Sequence, residues 1–144
     1  MVNTIKVLGA EGSALVNPFY VSQGANAIAR PEDLFFLALV GDSIVGAVRF
    51  CIEEGAPMLR SMMVHRDHRQ QGIGRILLKE FDDYLNAKSY RDTHCLPYGH
   101  LVGFYGLIGF EKRVEVSAPA FLIERLADYR AKNPTTDYIY MRRP

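Results

Sequence analysis

Cysteine is scarce in this sequence: Cys51 and Cys95 are the only two, and they form no CxxC pair. A disulfide framework is therefore excluded, and a reduced, cytoplasmic setting is the expectation. Long apolar runs are missing as well. The longest, Leu34–Val40, has seven residues, far short of the ~20 that a membrane span requires. Met1–Ile5 leads into Lys6 and a mixed stretch rather than a secretory apolar region. Neither sign of charge is in excess. Seventeen Lys and Arg against sixteen Asp and Glu leave +1, which argues against a nucleic-acid partner and against a polybasic membrane anchor. There is no internal repeat, no low-complexity segment and no composition shift that marks a linker; Glu11–Pro31, with Gly12 and Gly24, is too mixed for one. What is present is ordinary globular composition, 49% hydrophobic and 23% charged, in a chain long enough to bury a core without staples. The expectation is one domain over residues 1–144.

The apolar pattern predicts the elements. Thr4–Leu8 reads as a first strand, and residues between Asn17 and Ala29 as helix and loop. Leu34–Val40 and Ser43–Ile52 are strands joined by Gly41-Asp42, and Gly55-Ala56-Pro57 turns into a third, Met58–Val64. Short turns make this an antiparallel meander. The period then becomes helical: Ile73, Ile76, Leu77, Phe81, Tyr84 and Leu85 line one side of an amphipathic helix over Gly72–Lys88. Strand Arg91–Leu96, helix Tyr98–Leu107, strand Phe110–Val116, helix Pro119–Lys132 and strand Asp137–Met141 follow. The fold class is α/β with a mixed sheet, a meander followed by alternating helices and strands.

Leu59 to Arg75 carries the clearest chemical signal: a strand, a polar loop, two glycines and a helix start. The first N–H groups of a helix lack internal partners and lie at its positive dipole end. Glycines let an anion approach that backbone closely. Arg60, Arg66, Arg69 and Arg75 face Asp67 alone in this stretch, a local excess that suits a phosphate-rich ligand. The GxxxxGK[ST] loop is absent, and so is the full GxGxxG, because Arg75-Ile76-Leu77 supplies no third glycine. A plain strand-to-helix turn accounts for the glycines equally well on spacing alone.

Arg69-Gln70-Gln71-Gly72-Ile73-Gly74 resembles the R/Q-x-x-G-x-G/A motif of the GNAT family of N-acetyltransferases, with Val64-His65-Arg66-Asp67-His68 similar to the strand exit before it. One helix and one strand later, Phe104-Tyr105-Gly106-Leu107-Ile108-Gly109-Phe110 resembles the family's F/L-Y-x-x-x-G-F segment. The resemblance spans Leu34–Phe110 and implies the acyl-coenzyme A N-acyltransferase fold, with acetyl-coenzyme A as co-substrate and an amine as acceptor. It implies that Gln70, Gln71, Gly72, Ile73, Gly74 and Arg75 hold the pyrophosphate through the backbone. Met62, Met63 and Val64 would pair with the pantetheine arm and point an N–H at the thioester carbonyl; the two methionine side chains read as core filling. Tyr105 would protonate the departing thiolate, since a phenol with pKa about 10 stays protonated at neutral pH.

At two positions the resemblance breaks. The glutamate that some members carry twelve residues before the tyrosine is Thr93 here, and the asparagine seven residues before it is Tyr98. His94 is the substitute base, its ordinary pKa being ~6.5; Glu53 and Glu54 are alternatives acting through water. His65 and His68 belong to the exposed loop, and no histidine pair has metal-ligand spacing, so no metal is expected. The helix Pro119–Lys132 departs from the family's terminal hairpin and could wall the acceptor cleft or form a homodimer contact. An N-acetyltransferase working by direct attack of a primary amine is the leading function. A non-catalytic acyl-coenzyme A-binding module is the alternative, and a phosphate loop for another nucleotide would leave Phe104–Phe110 unexplained.

Overall fold

Leu34–Val40 is apolar on both faces because both faces are covered: it forms strand β2, with five consecutive buried residues. The computed structural model describes residues 2, 4–9, 12–25 and 29–144, grouped in two compact units, residues 1–90 and 91–144. Among the described residues no helix is long and apolar enough to cross a membrane.

In the first unit β1 (Thr4–Leu8), β2, β3 (Ser43–Glu53) and β4 (Ala56–Val64) pair in that order, each antiparallel to the next. This is the expected meander. Both later hairpins turn in two residues, Val40 pairing with Ser43 and Glu53 with Ala56. The second turn is Glu54-Gly55, at φ 47 and 80, a left-handed pair that a two-residue hairpin demands. It lies one residue before the expected Gly55-Ala56-Pro57, so β4 begins earlier and includes Pro57.

Two helices cover opposite faces of these strands. α1 (Gly12–Ser22) packs Val16, Phe19 and Tyr20 on Phe35, Leu37 and Ala47. It starts before the expected Asn17 and continues through Pro18. Asn26, Ala27 and Ile28, within the stretch read as helix and loop, lie outside the described residues. α2 (Ile73–Lys88) covers the other face, as its amphipathic spacing predicts. Its Phe81 and Tyr84 meet Phe36 and Phe50 at ring-centroid distances of 5.2–6.0 Å. Each such pair contributes about 0.5–1.5 kcal/mol beyond the area it buries. Gly46 of β3 sets how close α2 can come, since a Cβ there would lie 2.8 Å from Ile73 Cγ2.

The second unit departs further from expectation. β5 (Thr93–Cys95), β7 (Met141–Arg143) and β6 (Glu111–Lys112) form an antiparallel trio with β7 central. Strand Arg91–Leu96 is thus cut to its buried centre. The expected helix Tyr98–Leu107 is a 3-10 turn, Gly99–Leu101, followed by α3 (Val102–Gly106). Phe110–Val116 keeps only two strand residues; Val114 and Val116 are 71% and 86% exposed, and Glu115–Ser117 is a 3-10 turn. Their β-branched residues read as a strand, but no neighbouring strand pairs with them among the described residues. α4 (Ala120–Lys132) starts just after Pro119, as expected of a proline at a helix entrance. The last strand lies later than Asp137–Met141, because only Met141–Arg143 meets the buried residues of β5.

Candidate functional site

The end of β4 is where the chain leaves regular structure. Ala47 pairs with Met63 and Arg49 with Arg60, so two residues of β4, Ser61 and Met62, oppose Val48 alone. This is a β-bulge, and Ser61 stands at φ 56, a left-handed conformation that few non-glycine residues adopt. A bulge turns backbone groups out of the ladder and re-aims the strand. Met62, the second bulged residue, and Met63 and Val64 beyond it are all half-buried. The side chain of Met63 packs at the edge of the α1-side core. The next N–H, from His65, donates to the Val45 carbonyl at 2.8 Å, tying the strand exit to a second irregularity in β3.

The loop that follows is built from its own side chains. His65 Nδ1 accepts the Asp67 N–H at 3.0 Å and so caps the 3-10 turn Arg66–His68. The rings of His65 and His68 meet edge to face, 5.4 Å apart. Arg69 folds back, its Nε donating to the Val64 carbonyl at 3.2 Å. Gln70 takes φ 63 and Gly72 φ 80, and these two reversals turn the chain into α2. Gly72 caps that helix without any side-chain acceptor. The first-turn donors of Ile73, Gly74 and Arg75 have no carbonyl one turn back. A Cβ on Gly72 would meet nothing within 4 Å, so an open cradle stands over those donors. Gln70, Gln71 and Arg75 are exposed around it. Backbone N–H groups at a positive dipole end, arginines close by and no side chain in the way suit a phosphate group. The sequence-predicted loop residues are thus brought together.

Behind β4 lies a buried charged cluster that sequence reading passed over. Asp33 is 1% and Arg49 3% exposed, with Arg49 Nη1 3.0 Å from Asp33 Oδ2. The same carboxylate accepts the Arg30 N–H at 2.9 Å. Across the strand pair from Arg49, Arg60 donates to Glu53 at 2.7 Å. A lone arginine inside the apolar strand Ser43–Glu53, and an aspartate just ahead of the run Leu34–Val40, were the signals. Glu53, one of the base alternatives, is buried in this pair, and Glu54 is exposed at a hairpin tip.

In the second unit, β5 divides its side chains between two faces. Successive strand residues point opposite ways. His94 takes one face with Tyr140, whose Oη lies 2.7 Å from Nδ1 and whose ring stacks at 5.7 Å. Burial lowers the pKa of His94, and Arg142 lowers it further, so the imidazole is neutral near pH 7. Thr93 and Cys95 take the other face. Tyr105 is 5% exposed and sits edge to face with Phe104 and Phe110. Burial raises its pKa, so it remains a proton-bearing phenol, and its hydroxyl makes no hydrogen bond among the described residues. Tyr98 is half-exposed between His100 and Tyr138. Thr93 is fully buried, and its Oγ1 has no hydrogen-bond partner among the described residues. An unmade buried hydrogen bond costs about 1–3 kcal/mol. Thr93→Val, nearly the same shape, is therefore expected to raise the unfolding temperature by roughly 2–4 °C in a thermal melt; a fall would show that the hydroxyl has a partner.

Comparison with known proteins places this geometry. The acetyltransferase (GNAT) domain family matches residues 31–112. No curated protein sequence matches the chain. Among solved structures, ElaA of Escherichia coli superposes with a TM-score of 0.68 at 16% identity, covering 100% of each chain. An acyl-CoA N-acyltransferase from Pseudomonas aeruginosa gives 0.68 at 16% identity, covering 98% of this chain and 99% of that one. An N-acetylglutamate synthase from Neisseria gonorrhoeae, complexed with coenzyme A and N-acetyl-glutamate, gives 0.64 at 16% identity, covering 100% of this chain and 36% of that one. At these identities the likeness is one of fold.

Proposed function

The chain belongs to the GNAT acetyltransferase family, and from that premise we propose that it transfers the acetyl group of acetyl-coenzyme A to a primary amine by direct attack, as a single N-acetyltransferase domain. The observation that carries the reading is the open cradle at the start of α2, directly after the bulged end of β4. Residues 70–75 fit a pyrophosphate through their backbone donors, and the strand end 62–64 offers backbone groups to an extended arm. Acetyl-coenzyme A supplies the activated thioester. An N–H from the strand end aimed at the thioester oxygen opposes the charge that grows there as the amine attacks; such donors are worth roughly 2.7–4 kcal/mol in acyl transfer.

Direct attack fits the cysteines. Burial pushes the Cys51 thiol up to about 12, helped by the Glu53 carboxylate, and raises Cys95 well above the ordinary thiol range. Neither supplies a thiolate at neutral pH to carry an acyl group. Tyr105 is assigned the proton that the leaving thiolate needs, since its hydroxyl is protonated and uncommitted. His94 is assigned the proton that the acceptor ammonium must lose. The two act on separate protons, so no contact between them is required.

Thiol release from acetyl-coenzyme A across a panel of amines, polyamines and peptides tests the reading. Release with at least one amine and ternary-complex kinetics are expected; a trapped acyl-enzyme refutes direct attack, and binding without turnover on any acceptor favours a non-catalytic binding module. Tyr105→Phe is expected to lower kcat about 10²-fold with little change in coenzyme affinity. Unchanged activity makes Tyr105 structural. The acid limb of kcat/KM is expected below the ordinary histidine pKa, because protonating His94 removes the base and its pKa is lowered.

A further inference from the structure

We infer that Tyr20 and Gln23, at the C-terminal end of α1, are positioning residues that clamp the acyl-binding strand end and its exit loop from behind. Tyr20 is fully buried, and its hydroxyl donates to the Ser61 carbonyl at 2.7 Å. Ser61 is the left-handed residue of the β4 bulge. One turn further on, Gln23 Oε1 accepts the Arg66 N–H at 2.8 Å, and the Arg66 guanidinium reaches back to the Ser22 carbonyl at 3.5 Å. One helix end thus grips the chain at residues 61 and 66 and brackets 62–64 between the two grips.

The arrangement answers a physical difficulty. A bulge breaks the ladder, and a non-glycine residue held at positive φ needs surrounding structure to over-determine it. The β3 partner cannot satisfy a carbonyl that has turned out of the ladder; a phenol rising from α1 can. Burial raises the Tyr20 pKa, so the hydroxyl remains a donor throughout the pH range of the fold. The ring itself is packed in the core with Phe19, Phe35 and Leu37, which fixes where the hydroxyl points. Preorganised backbone donors serve acyl transfer because they need not rearrange as charge develops.

That the bracketed residues receive coenzyme rests on the proposed function, so the test has one arm free of it. In the 144-residue chain without ligand, Tyr20→Phe is expected to speed amide hydrogen exchange at Met62, Met63 and Val64 about tenfold, leaving Leu77 and Phe81 of α2 unchanged. In the second arm Tyr20→Phe weakens acetyl-coenzyme A binding about tenfold, while ADP, which carries the pyrophosphate without the pantetheine arm, binds within twofold of the unaltered protein. Gln23→Ala, at the half-buried end of the helix, speeds exchange at Arg66 and weakens ADP about threefold. It also keeps the inference falsifiable should Tyr20→Phe fail to fold. Unchanged exchange at residues 62–64 and at 66 overturns the clamp, and so does equal acceleration throughout residues 1–90. If the unaltered chain binds no acetyl-coenzyme A, the functional reading falls and the exchange result alone decides the clamp.

Discussion

Gly72→Val is expected to abolish acetyl-coenzyme A binding, by about 10²-fold or more, while leaving a folded protein. Two effects act together at this position. Gly72 holds φ 80, a left-handed conformation that costs an L-residue roughly 1–2 kcal/mol and a β-branched one more. Its missing side chain also leaves open the space over the first-turn donors of α2, where a Cβ would meet nothing within 4 Å. A side chain here starts into open space beside the helix start, where a phosphate would approach. Each charge-assisted hydrogen bond lost to a phosphate costs about 1.5–3 kcal/mol, so losing two accounts for the effect. Isothermal titration beside a thermal melt separates the two consequences. Unaltered affinity in a folded variant removes the phosphate-loop assignment.

Asp33→Ala is expected to destabilise the chain by about 3–5 kcal/mol, a fall of roughly 10 °C in unfolding temperature. The carboxylate is 1% exposed and carries Arg49, itself 3% exposed, together with the Arg30 backbone and side chain. Deleting it leaves the Arg49 guanidinium buried next to a lost counter-charge. Arg49→Met in the same background is expected to recover much of the loss, because a buried ion pair replaced by apolar groups of similar volume is often neutral. Urea unfolding measures both. A loss under about 1 kcal/mol for Asp33→Ala would mean that water or another carboxylate reaches Arg49.

The predictable parts of this molecule are those with strong local patterning. The meander was legible because apolar runs of strand length are separated by Gly41-Asp42 and Gly55, and only the second turn moved by a residue. The boundaries of α2 were legible because an amphipathic repeat opens on Gly72 and closes at Lys88. Less local features were misread. Val114 and Val116 have strand propensity, yet propensity forms no ladder without a neighbour, and both are exposed. Asp137–Met141 alternates like a strand, but β5 is only three residues long and its register selects Met141–Arg143. α1 begins at Gly12, ahead of the expected Asn17, and runs through Pro18.

The candidate site divides in the same way. Arg69 to Arg75, and the excess of arginine around Asp67, mark an anion-binding turn by composition and spacing, and the backbone of Gln70 and Gly72 takes up the left-handed geometry that such a turn uses. Tyr105 was legible only through a family segment; its spacing alone is that of a core aromatic, and in the structure it is buried as one would be. His94 was legible as a titratable group, but not the Tyr140 hydroxyl against its Nδ1. By itself the sequence determined the fold class, the strand-loop-helix and its charge, because hydrophobic periodicity, glycine conformation and local charge act within a few residues. Only the tertiary structure decided that Tyr20 meets Ser61, that Asp33 neutralises Arg49 and that His94 and Cys95 face opposite ways. Those outcomes depend on strand register and helix placement, and a one-residue change in register would have reversed which side chains face each other.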